Sequence, residues 1–144
     1  MLDSGDSGAS SWIAVPAGSS GAFILAFSAL FDAGDRVALG EPGYPSYRQI
    51  LRAMSVQPVG MPTLAENRFQ PVPADIPEGV RGVILASPGN PSGTMLGRAE
   101  LAALARATAA HNVIPYRAVA AIEGACHADQ LDVNALARDA ALGG

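Results

Sequence analysis

Gly18-Ser19-Ser20-Gly21 sets two hydroxyls among small residues. Where such a run opens a helix, its free N–H groups and the helix dipole favour an anion such as phosphate. The plainer alternative is that one serine simply caps the helix. Tyr44 stands between Pro42-Gly43 and Pro45, so its backbone has little freedom and its ring can serve as a platform for a planar heteroaromatic ligand. A tyrosine packed as a lid on the core is the alternative for that residue alone. Asn90 lies between Pro88-Gly89 and Pro91-Ser92-Gly93, where its amide can bond a ligand oxygen or serve the turn itself. No lysine occurs among the 144 residues, since all nine basic positions are arginine. Every mechanism that needs a lysine amine is therefore closed to the chain.

Other reactive types carry less. Cys126 and His127 are adjacent, and neighbours in sequence rarely converge on one point. No second cysteine completes a zinc set. Glu123, Asp129 and Asp132 read as a solvated surface rather than a carboxylate pair, so no metal site is expected. The lone cysteine excludes an internal disulfide framework and agrees with a cytoplasmic location.

The elements that must position these residues follow from pattern. Residues 1–11 read as a frayed tail, and Trp12–Val15 as a short strand. Ala22–Phe31 is apolar on every side, the composition of a helix buried between other elements. Asp32–Asp35 is a turn, Arg36–Leu39 a strand, and 40–46 a loop broken by two prolines. Tyr47, Ile50, Leu51 and Met54 fall at helical spacing. Val56–Met61 is a strand that Pro58 assigns to a sheet edge. Residues 62–80 form a long connection, and Gly82–Ala86 a strand buried on both faces. Ser87–Thr94 is a loop, Arg98–Ala110 a helix, and Leu131, Ala135, Leu136 and Leu142 a final short helix. Alternation of strand and helix predicts an α/β fold with a mainly parallel sheet. Ligands bind such sheets at the carboxyl ends of the strands, where the loops 16–21, 40–46 and 87–94 fall.

Composition removes several alternatives. A net charge of −4 without a basic cluster argues against nucleic acid. No apolar run is long enough to span a bilayer, and the first residues lack the pattern of a signal peptide. A nucleotide-binding domain built on Gly18–Gly21 has little support, because Rossmann spacing and a Walker lysine are both missing.

Four segments together resemble the class I/II aminotransferases, pyridoxal-phosphate (PLP) enzymes of fold type I. They are Ala17-Gly18-Ser19-Ser20-Gly21-Ala22, Asp32-Ala33-Gly34-Asp35, Glu41-Pro42-Gly43-Tyr44-Pro45-Ser46-Tyr47 and Ala86-Ser87-Pro88-Gly89-Asn90-Pro91-Ser92-Gly93-Thr94, in the family's order and spacing. The resemblance covers residues 12–111 and implies part of a three-layer α/β/α large domain. It also implies that Ser19 and Ser20 meet the cofactor phosphate, that Tyr44 stacks on the pyridine ring, and that Asn90 bonds its 3′-oxygen. Such enzymes pass the amino group of an amino acid to a 2-keto acid, and commonly act as homodimers.

Two of the family's features are missing. Its next motif, Ser-Asp-Glu-Ile-Tyr-like, would set an Asp near Ala118 and a Tyr near Ala121. That Asp pairs with the pyridinium nitrogen. The lysine that carries the cofactor as a Schiff base is absent altogether. Residues 112–144 match nothing in the family, as in an interior piece of the large domain followed by a reading-frame shift or a broken gene. The expectation is PLP-dependent aminotransferase by descent, inactive alone. The alternative is a non-catalytic fragment with weak PLP or phosphate binding or a partner-docking role.

Overall fold

A computed structural model gives the structure of residues 17–110 and 118–121. Helix α1, Gly18–Leu30, starts four residues earlier than the apolar run suggested, because Gly18 takes φ +77° and turns the chain into the helix. A turn follows, in which the Asp32 N–H donates to Asp35 Oδ2 at 2.9 Å. Strand β1 is Arg36–Glu41, helix α2 Pro45–Ala53 and strand β2 Gln57–Pro62. Short 3₁₀ turns at Ala65–Asn67 and Pro73–Asp75 interrupt the connection to β3, Gly82–Ala86. Helix α3, Arg98–Ala110, then leads to β4, Ala118–Ala121.

The four strands lie in the order β2-β1-β3-β4, all parallel. Pro58 sits in β2 at the edge, where its missing N–H can face outward. Because successive strand residues face opposite sides, Val37, Leu39 and Ile84 join Phe23, Phe27, Phe31, Tyr47 and Leu51 on the face covered by α1 and α2. Ala38, Val83 and Leu85 join Met61, Ile76, Leu96, Leu101 and Leu104 on the face covered by α3. Three layers result, as expected.

Three expectations are corrected. Gly40 and Glu41 belong to β1, because β2 pairs alongside and the Glu41 carbonyl accepts both the Thr63 N–H at 2.8 Å and its hydroxyl at 2.9 Å. Helix α2 begins at Pro45, whose fixed φ suits the first helical turn. Helix α1 is not covered all round: Phe23 and Phe27 are buried, but Ile24 and Leu25 are about half exposed. The expected strand Trp12–Val15 and the final helix near Leu136 lie outside the described residues.

Candidate functional site

Strand β1 continues through α2 on one face of the sheet, and β3 through α3 on the other. The loops leaving their carboxyl ends therefore part, and a crevice opens at the point where such sheets hold ligands. Leu39 and Gly40 of β1, Ile84 and Ala86 of β3, Tyr44, Tyr47, Phe69, Gln70, Gly89, Asn90 and Ser92 line it. Its enclosed part is about 40 Å³, the room of a few waters.

Tyr44 is half-buried and immediately precedes α2, on extended backbone with φ −64° and ψ 121°. Its ring meets Tyr47 edge to face at 5.4 Å, and Tyr47 in turn meets Phe23 of α1 at 4.9 Å. The ring orientation is thus fixed by two helices, through contacts worth roughly 1 kcal/mol each. Gly43 permits the turn ahead of it, since a side chain there would run into the Gly40 carbonyl.

Asn90 is half-buried in a loop that closes on itself. The Gly89 N–H donates to the Thr94 carbonyl at 2.8 Å, and the Gly93 N–H to the Gly89 carbonyl at 2.6 Å. Ser87 fixes the far end, its hydroxyl accepting the Leu96 N–H at 2.9 Å.

Ser19 and Ser20 occupy the first turn of α1, and Ser20 is exposed. The residue ahead of that turn is Ala17, and no side chain caps it. The capping alternative for these serines is thereby corrected, since the capping position falls to Ala17 and not to either of them. Ser20 is not among the residues that line the cleft. The structure brings Tyr44 and Asn90 together, and Tyr44 reaches α1 through Tyr47 and Phe23.

Sequence reasoning passed over Gln70 and Phe69. Both sit in what read as a featureless connection, and both line the cleft. Only the abrupt polarity of a buried glutamine, 4% exposed, distinguishes the first. A larger hollow of about 230 Å³ lies between this connection and α3, bordered by Arg68 and Glu100, and contains none of the predicted residues.

Strand β4 pairs Ala118 with Val83 and Ala121 with Ala86, so the region where the family's Asp and Tyr were expected does join the sheet. It brings alanines there. Glu123, Cys126, His127, Asp129 and Asp132 lie outside the described residues; among the described ones no group of His, Cys, Asp or Glu could hold a metal. No described helix is long and apolar enough to cross a membrane.

The family model for aminotransferase class I and II matches residues 7–120, against the 12–111 carried by the motifs. Valine–pyruvate aminotransferase of Mycobacterium tuberculosis is 51% identical over 96 residues, 65% of this chain and 25% of the relative. Arginine–pyruvate transaminase of Pseudomonas aeruginosa is 35% identical over 105 residues, 70% of this chain and 27% of the relative. A crystal structure of an aminotransferase from Mycobacterium tuberculosis superposes with TM-score 0.63 at 50% identity, covering 67% of this chain and 26% of that one. The chain therefore spans about a quarter of the length of the relatives it matches. With the parallel sheet and the crevice between β1 and β3, that match carries the conclusion that the chain belongs to the class I and II aminotransferases.

Proposed function

We propose that this chain is the cofactor-cradling part of a PLP-dependent aminotransferase and does not transfer amino groups alone. The observation that carries the reading is the meeting of Tyr44 and Asn90 in one cleft at the carboxyl ends of β1 and β3. The residues present fit the ring and phosphate of PLP but not its aldehyde. Tyr44 offers a held aromatic face, Asn90 an amide for the 3′-oxygen, and Ser19 and Ser20 hydroxyls beside the uncapped start of α1. No lysine exists to bond the aldehyde or take a substrate proton, and Ala118 and Ala121 offer nothing to the ring nitrogen.

When bound, PLP acts as an electron sink for amino-acid chemistry. This chain's own residues bind and orient it, and supply no base. The names of the two relatives above both include pyruvate, which supports an amino acid and a 2-keto acid of that kind as the substrates of the whole protein. A homodimer and a cytoplasmic setting complete the reading for that protein.

Pyridoxine 5′-phosphate, which lacks the aldehyde and so cannot react with the Met1 amine, is the probe of choice. The 144-residue chain is expected to bind it, and Tyr44→Ala to weaken binding roughly three- to tenfold. Equal affinity of the two proteins would overturn the cradle. Turnover of any amino acid by the chain with added PLP and pyruvate would overturn the negative half.

A further inference from the structure

Gln70 ties the Asn90 loop to the connection between β2 and β3, beside a second tie made by the Thr94 hydroxyl. Gln70 Nε2 donates to the Thr94 carbonyl at 2.7 Å and approaches Thr94 Oγ1 at 3.1 Å. The Thr94 hydroxyl donates to the Arg68 carbonyl at 2.6 Å and lies 3.0 Å from Ser92 Oγ. The same Thr94 carbonyl accepts the Gly89 N–H that closes the loop around Asn90. Space for the amide is kept by Gly89, where an added Cβ would lie 3.0 Å from Gln70 Nε2 and 2.5 Å from Ser92 Oγ. On the connection's side, Arg68 and Phe69 both hold left-handed backbone, φ 55° and 56°. Two consecutive non-glycine residues rarely adopt it unless the surroundings hold them. This cross-tie fixes the pair and sets Phe69 at the cleft.

A buried amide is a costly way to fill space, since each unmet donor loses its hydration. Here its donors are spent on the Thr94 hydroxyl and on the Thr94 carbonyl, which also takes the Gly89 N–H that helps close the Asn90 loop. We propose that Gln70 is a positioning residue that holds the Asn90 loop in the geometry for ligand binding; the ligand half of this rests on the cofactor reading above. Asn90 meets the ligand, and Gln70 acts through it.

Amide hydrogen exchange of the unliganded 144-residue chain tests the hold on the loop. Gln70→Met keeps the length of the side chain, and Thr94→Val removes the hydroxyl half of the tie should the first variant fold poorly. Exchange at Gly89 and Gly93 is expected to rise about tenfold in either variant while Ile84 of β3 stays protected. No rise at those two amides in a folded variant overturns the inference, whatever the protein binds. Affinity for pyridoxine 5′-phosphate is expected to fall several-fold in Gln70→Met, yet to be no lower in Gln70→Met/Asn90→Ala than in Asn90→Ala. Additive losses, or unchanged affinity beside faster exchange, overturn the positioning role. Failure of the unsubstituted chain to bind overturns the cofactor reading and the ligand half of the inference, while exchange still decides the hold on the loop.

Discussion

Glu100 accepts the Gly97 N–H at 2.6 Å, and then the Arg68 guanidinium at 2.5 Å. Both partners favour the charged carboxylate, the backbone donor most, so its pKa lies below the ordinary value of 4.5. A carboxylate lowered by folding adds stability above its unfolded pKa, and that stability is lost as pH falls from about 4.5 through the folded value. Glu100→Gln should therefore flatten the acid limb of the stability curve below about pH 4.5, on the order of the exposed pair's small contribution. Denaturant midpoints at several pH values check it; parallel curves would exclude the effect. At this scale the sequence was readable where prolines constrain a side chain, as at Tyr44. It was silent at Gln70, whose role depends on a partner in another loop, 24 residues on.

At the scale of elements, α2 shows how a short helix gains stability. Its pattern puts Tyr47 and Leu51 under α1 and over the sheet, with Arg48 and Arg52 turned away. Arg48, half-buried, pairs with the exposed Glu41 at the end of β1. Leu51 is fully buried beside Phe27, Val37 and Val56. Leu51→Ala should cost about 2–5 kcal/mol, by transfer and by the cavity left behind. Urea unfolding measures it, and a loss below 1 kcal/mol would mean that α1 collapses into the gap. Strand and helix centres were legible from periodicity, and boundaries were not. Glu41 joins β1 because Pro62 of β2 pairs with it and Thr63, just past the end of β2, bonds its carbonyl.

Across the described residues, α1 leaves large apolar side chains exposed. Its sequence is apolar all round, and the inner face meets the sheet and α2 through Phe23 and Phe27. Ile24 at 49% and Leu25 at 57% exposure leave an apolar outer face. Replacing both with Gln should raise the concentration at which the chain stays monodisperse in light scattering, with stability changed by about 1 kcal/mol or less. Unchanged association would place the sticky surface elsewhere, for instance around Leu64, Phe69 and Met95, which are also exposed.

By itself the sequence determined the α/β class, the parallel order implied by alternating elements, and the loops that carry Ser19, Ser20, Tyr44 and Asn90. Local chemistry is enough for these, because prolines, glycines and apolar period act over a few residues. It also determined the want of a lysine, which no fold can supply. Only the tertiary structure decided that Tyr44 and Asn90 share a cleft, and that alanines of β4 lie beside Val83 and Ala86. Those outcomes depend on strand order and on which face each helix covers, and both are settled by packing between segments far apart in the chain.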